Sequence, residues 1–506
     1  MAGATQFVLP AQWARGLARH WEVAPIAAFA LTVALIYLYS ASELALPFDD
    51  SYISLHFARN LADHGFLTFN GKNASGGATS LLHVLLLAVP IKLGVDPVRT
   101  SVGLGLLLHV ALVPAVYWLG WTVFRDRLAA SIAAVSVGAI GYLALDALNG
   151  METTLFLLLS TLAAAAFFRA LRASGERAYL VAGALAALAV VTRPEGALLL
   201  AAMVAYYAAD PERGEALVSP DAARRLAALA APSVLVLGGL AIFYWVTTDA
   251  LTPGTATAKL YFFREFEVSL NGRYNMAQAA VGNFAAPLLP WLALAAFGVR
   301  RREALLFAIF WVGFIVLYYM LFPGGLGHYW YRYQHIFLPA LAVFAGGGLA
   351  SLLRGRSWRP WDVAFAGAIG FVLLAAVVFQ VESFRNHYAF EIDLNVGRQI
   401  AIAEELRAIS SPGETIATHD IGAMGYFSER EVIDLVGLIN PDVLDFHEGR
   451  RLRAYVDQVR PNYIVIFDSW WPLLRLGLEN DPETFEELFV SQPGREGPFR
   501  VYRTHY

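Results

Sequence analysis

Cysteine is absent from all 506 residues. That excludes disulfides and thiolate metal sites, though not an oxidising compartment. Charge is scarce as well: Asp, Glu, Lys and Arg make up 15% of the chain, against roughly 25% in an ordinary soluble domain. The net charge of −4 is small, and no basic tract marks a nucleic-acid surface. There is no internal repeat and no low-complexity tract. What fills the chain is apolar. Hydrophobic residues make up 58% of it, and runs of about 18 or more recur, each long enough to cross a bilayer core of about 30 Å. The composition is that of a polytopic membrane protein. Residues 24–46, preceded by Arg15 and Arg19, have something of a signal-peptide layout, but the run is long and lacks a clear A-x-A site.

Arginine gathers in loops between the apolar runs: Arg15/Arg19, Arg125/Arg127, Arg169/Arg172/Arg177, Arg213/Arg224/Arg225, Arg300/Arg301/Arg302 and Arg354/Arg356/Arg359. If all of these face the cytoplasm, an even number of crossings separates neighbours. Three apolar runs lie between Arg19 and Arg125, so one of them does not cross. The middle one, TSLLHVLLLAVPIKL, carries Pro90 and would be only about 22 Å long as a helix. It is expected to lie in the outer interface as a juxtamembrane helix, which makes 47–99 one large external loop. The remaining runs are 24–46, 100–123, 128–147, 152–171, a hairpin of 178–192 and 195–209, then 226–247, 277–299, 303–322, 334–353 and 361–381. They give about eleven spans and an external C-terminus.

After Glu382 the composition turns polar. NVGRQIAIAEELRAIS has the spacing of an amphipathic helix, and ETIAT, EVIDL and YIVIF read as short buried strands. The expected architecture is therefore an α-helical polytopic membrane domain over 1–382 and a small external α/β domain over 383–506.

The residues fit for chemistry cluster on the external side. Asp49 and Asp50 follow the first span in PFDDSYISLHFARNLADHGFLTFNGKNASGG. Aspartate suits a first helical turn, but a pair at a span exit is expensive to desolvate without a function. One carboxylate there could serve as general base toward an acceptor hydroxyl. Glu152, in Gly150-Met151-Glu152-Thr153, could cap the helix that follows or share the cavity of the aspartates. Asp50 and Glu152 together would invite Mg, Mn or Ca, since hard divalent cations take oxygen ligands. Arg193 and Glu195 flank Pro194, as an ion pair at the hairpin turn would. Two external loops supply cations for an anionic donor: LTPGTATAKLYFFREFE, with Lys259 and Arg264, and PGGLGHYWYRYQHIFLP, with His328, Arg332 and His335.

The stretches DDSYISLHFARNLADHGFLTFNGK, GMETTLF, TRPEG, LTPGTATAKL, YRYQHIFLP and HDIGAMGYFSEREVIDLVGLINP fall in an order that resembles the GT-C superfamily of integral-membrane glycosyltransferases. Within it they look nearest to the mycobacterial terminal arabinofuranosyltransferases. The resemblance implies a GT-C fold in a bacterial inner membrane with the active site on the periplasmic face. It also implies inverting transfer of a sugar, arabinofuranose by subgroup, from a polyprenyl phosphate to a glycan, lipid or protein hydroxyl. Asp49 or Asp50 would be the base and Glu152 a second acid. Lys259, Arg332 and, less directly, His328 would contact the donor phosphate. The chain departs from the family at Ser75–His83, where relatives often read E-G-Y-T-S-P-L-W, and at Pro253-Gly254-Thr255, where they often read P-N-T. The rival class is a flippase that moves a lipid-linked sugar without chemistry.

Overall fold

A computed structural model describes residues 20–173, 175–210, 219–248, 251, 254–354, 359–467, 474–491 and 497–506. Arg15, Arg19, Arg213, Arg356 and the Thr252–Pro253 part of the first cationic loop lie outside the described residues. Lipid offers no hydrogen-bond partner, so apolar chain inside it bonds its own amides and becomes helix. Among the described residues, seven helices are long and apolar enough to cross a membrane: Pro97–Phe124, Thr153–Ala170, Pro220–Thr247, Leu270–Gly298, Ala304–Leu321, Pro323–Leu353 and Pro360–Ile409. The chain is a multi-pass helical membrane protein.

Arg127–Ala139 and Gly141–Leu148 are together long and apolar enough for a further span, and meet at a bend of 58°. Ile140 between them is extended (φ −89°, ψ 108°). Gln380 secures the break: its Oε1 accepts from the Gly141 amide at 2.8 Å and its Nε2 donates to the Pro287 carbonyl at 2.8 Å. The expected hairpin is present as Glu176–Thr192 and Glu195–Ala209, of 17 and 15 residues. At about 26 and 23 Å these two are short for a full crossing. The first apolar helix, Val23–Leu38, ends before the expected residue 46. Ser40 and Ser42 follow it; their hydroxyls donate to the Tyr37 carbonyl at 2.6 Å and to Asp393 at 2.5 Å, bonds that compete with continued helix.

The basic loops meet at one end of the bundle. Arg127 lies 3.9 Å from Glu22, Arg172 pairs with Glu303 at 2.9 Å and Arg302 with Asp210 at 3.4 Å. The 28 residues of Pro97–Phe124 carry the chain about 42 Å from the first external loop to that end. In that loop, helix α1 (Asp49–His64) is followed by α2 (Leu81–Lys92). Leu85, Val89 and Leu93 of the α2 segment stay exposed, as an interfacial helix requires.

On the polar side, α3 (Pro360–Asn395) runs without interruption past residue 382 and through a π-helical turn at Val396–Ile400 into α4 (Ala401–Ile409). Strands β1 (Thr415–Thr418), β2 (Glu431–Asp434), β3 (Tyr463–Phe467), β4 (Phe485–Val490) and β5 (Phe499–Thr504) form one sheet in the order β2-β1-β3-β5-β4. The first three are parallel, with Ile416 beside Val432 on one side and beside Tyr463 on the other. β5 pairs antiparallel with both β3 and β4. Every residue of β3 is buried, which explains its unbroken apolar run. Helix α5 (Gly422–Ser428) connects β1 to β2.

Candidate active site

Phe48 is extended (φ −131°, ψ 149°) and the helix begins at Asp49. Both aspartates therefore occupy the first turn, where carboxylates suit the amino end. Successive residues on a helix project about 100° apart, so the two carboxylates face different neighbours. Asp49 is 4% exposed. Its Oδ2 accepts from the Gly422 amide at 2.8 Å and its Oδ1 from the Ala423 amide at 2.7 Å. The Asp50 side chain is 21% exposed; its Oδ2 lies 3.0 Å from Arg332 and 3.9 Å from Lys259. Burial raises the Asp49 carboxyl to about 7, against the two amides that lower it. Burial also works to raise Asp50, but Lys259, Arg332 and His328 outweigh it and hold that carboxyl below its ordinary range. Burial would lower the Lys259 ammonium, yet Tyr333 and Asp50 leave it above its usual value.

Asp49, Asp50, Lys259 and His328 border a cavity of about 490 Å³ whose walls come from both halves of the molecule. The membrane half contributes Asp50, Lys259, His328 and Tyr329; the polar half contributes Asn395, Arg398, His419, Asp420 and Phe467. The order β2-β1-β3 places a reversal of strand order between the parallel β1 and β3, and ligands of open parallel sheets bind beyond the carboxyl ends of strands at such a switch point. His419 and Asp420 follow β1 directly, and Phe467 ends β3. A more open depression of about 550 Å³ among Arg460, Glu486, Arg503 and Tyr506 holds none of these groups.

Of the residues expected from the sequence, Asp50, Lys259, His328 and Arg332 come together. Glu152 lies instead against Arg193 at 3.4 Å, and Arg193 also pairs with Glu195 at 2.8 Å. The ion pair expected across Pro194 is present and has a third member. His335 is buried and bonds Asp146 at 2.8 Å through Nδ1 and the Trp330 carbonyl at 2.9 Å through Nε2. Arg264 pairs with Glu267. Among the described residues no three His, Asp or Glu side chains assemble into a metal site. The two oxygen donors expected for Mg, Mn or Ca are each engaged by a guanidinium, Asp50 by Arg332 and Glu152 by Arg193. As placed, this donor pair does not fit a divalent cation.

Three participants escaped the sequence reading. Tyr333 puts its hydroxyl 3.3 Å from Arg332 and 3.5 Å from Lys259, joining the two cations; in the sequence it is one aromatic among several. Asp146 lies inside an expected span, where an ionisable residue is itself a signal. Asp420 sits in HDIGAMGYF, and an acid directly after a buried strand could have marked it.

A family model described as "Domain of unknown function (DUF8728)" matches residues 387–502. A search of the curated proteins finds no match. Among solved structures the chain is similar to ArnT from Cupriavidus metallidurans bound to undecaprenyl phosphate, at 13% identity and TM-score 0.57 over 94% of this chain and 97% of that one. It is also similar to the Archaeoglobus fulgidus oligosaccharyltransferase tethered with an acceptor peptide, at 13% identity and TM-score 0.59 over 97% of this chain and 74% of that one. EmbB arabinosyltransferase from Mycobacterium smegmatis aligns at TM-score 0.41 over 43% of its length, so the arabinosyl subgroup gains nothing from fold. The chain shares its fold with two membrane proteins, ArnT and the Archaeoglobus fulgidus oligosaccharyltransferase.

Proposed function

We propose that the chain is an inverting glycosyltransferase that takes a sugar from a polyprenyl-phosphate donor at the outer face of a bacterial inner membrane. The observation that carries this reading is the Asp50 carboxylate held by Arg332 at 3.0 Å and Lys259 at 3.9 Å at the edge of the cavity. Undecaprenyl phosphate bound to ArnT, and dolichol phosphate in complex with the Archaeoglobus fulgidus oligosaccharyltransferase, support a lipid phosphate as the ligand of those cations. In the donor-free protein Asp50 is the anion they hold. A donor headgroup supplies a competing phosphate, the ion pair opens, and the sugar comes to lie between carboxylate and cations. Deprived of its cations, Asp50 becomes a stronger base.

The acceptor hydroxyl then attacks the anomeric carbon from the face opposite the phosphate and gives its proton to Asp50. The bond from the anomeric carbon to the phosphate oxygen breaks, and its electron pair leaves with polyprenyl phosphate. The leaving group gains one negative charge, which Lys259 and Arg332 stabilise. Arabinofuranose as the sugar and a cell-envelope glycan as the acceptor rest on the sequence resemblance. No step runs through a metal.

The test is release of polyprenyl phosphate by purified protein in detergent, offered a panel of polyprenyl-phosphate pentoses and hexoses. Asp50→Asn should lower turnover by about a thousandfold or more, the scale of losing a general base with its charge, while the melting temperature stays close to the parent's. Turnover retained in Asp50→Asn would remove the assignment. Binding of donors without any bond cleavage would favour the flippase.

A further inference from the structure

Each oxygen of Asp49 accepts a hydrogen bond from a backbone amide of another part of the molecule. What those amides belong to gives the residue a different task. Gly422 and Ala423 open α5, and the residues just before them, His419 and Asp420, form the sheet-side wall of the cavity. The approach is close: a Cβ on Gly422 would overlap the backbone oxygen of Asp49. Around this point α1 and its loop grip the same surface. Asn70 exchanges two 3.0 Å hydrogen bonds with the Val432 backbone, Lys72 pairs with Glu431 at 2.6 Å, and Arg59 lies 4.3 Å over the Tyr426 ring.

We propose that Asp49 is a positioning residue: its carboxyl latches the amino end of α5 to α1, and so seats the crevice beyond β1, with Asp420 in it, over the membrane-side half of the cavity. The adjacent aspartates then divide the work. Asp50 faces the donor side, and Asp49 holds the acceptor side in place. This rests on the glycosyltransferase reading for the identity of the two sides, but the latch itself is a statement about structure. Substitution by Asn removes one of the two acceptors and turns an amide N–H toward a backbone N–H, so Asp49→Asn unlatches without changing shape. Gly422→Ala attacks the same contact from the other side, and serves if Asp49→Asn does not fold.

Four measurements decide the matter. In hydrogen–deuterium exchange of the purified protein, amides of residues 419–428 should exchange faster in either variant. Binding of undecaprenyl phosphate, read by tryptophan fluorescence, should stay within about threefold of the parent because the donor side is intact. In the donor-panel assay, turnover should fall about a hundredfold, the scale of a misplaced reacting group. The chain lacks cysteine, so Lys72→Cys with Glu431→Cys gives a specific pair for a short bismaleimide crosslinker. Crosslinking should restore most of the turnover of Asp49→Asn and none of that of Asp50→Asn.

Unchanged exchange at 419–428 would overturn the latch. So would a crosslinked Asp49→Asn that stays inactive while the crosslinked parent turns over, since Asp49 would then belong to the chemistry itself. If the parent releases no polyprenyl phosphate from any donor, the glycosyltransferase reading fails, and the exchange arm still decides the latch.

Discussion

At the scale of single residues, two neighbouring aspartates have received opposite electrostatic environments. Asp50 lies among cations and is held in its ionised form; Asp49 is lifted to about 7 by burial, against the two amides that bond it. The sign of the pH dependence follows. A carboxyl raised in the folded state binds a proton that the unfolded chain has already released, so its contribution to stability is whole below about pH 4 and fades as pH rises through about 7. The melting temperature should therefore drop between about pH 4 and 7, and Asp49→Asn should flatten that drop; an equal drop in the variant would assign it to other groups. On the donor side, Lys259→Met and Arg332→Gln each remove a charged partner worth about 1.5–3 kcal/mol. Each should weaken undecaprenyl phosphate binding by about ten- to a hundredfold, as measured by tryptophan fluorescence titration.

At the scale of elements, the bundle depends on backbones that touch. A Cβ on Gly348 would overlap the Leu294 carbonyl, and one on Gly298 the Phe344 carbonyl. Leu289–Gly298 and Leu338–Leu353 therefore meet through small residues, the usual way helices associate where lipid is as apolar as a side chain. Gly348→Leu should destabilise by about 1–3 kcal/mol, as overpacking does, and lower the detergent melting temperature. Gly367→Leu, where nothing lies within 4 Å, should leave it unchanged. Equal effects at both positions would dismiss the close contact as the cause. The bent pair at Ile140 shows another device, a glutamine on a distant helix bonding the amide freed at the kink.

At the scale of the whole molecule, ion pairs tie the arginine loops together at one end and the aspartates meet the polar domain at the other. If the arginine end is cytoplasmic, the cavity opens outward. Cysteine placed at exposed Lys72 should react with a membrane-impermeant maleimide on intact cells, and cysteine at exposed Arg300 only after permeabilisation. The reverse pattern would turn the protein over and place the chemistry in the cytoplasm.

The sequence by itself determined whatever depends on local pattern and solvent. Apolar runs must be helical in lipid, so the spans were legible, and buried β-branched runs such as YIVIF were legible as strands. Scarce charges on a mostly apolar chain stood out one by one, which is why Asp50, Lys259, Arg332 and the Arg193–Glu195 pair could be picked in advance. β4 and β5 were not, because β4 carries exposed acids and the two become strands only at the sheet's antiparallel edge, β5 by pairing with β3 and β4 by pairing with β5. Which aspartate meets the cations, whether Glu152 joins Asp50 or Arg193, and that Tyr333 bridges two cations were decided only by tertiary structure. Those outcomes depend on the direction of a side chain and on partners such as Arg193 for Glu152, Lys259 for Tyr333 and Gly422 for Asp49, which lie 41, 74 and 373 residues away. No spacing along the chain encodes them.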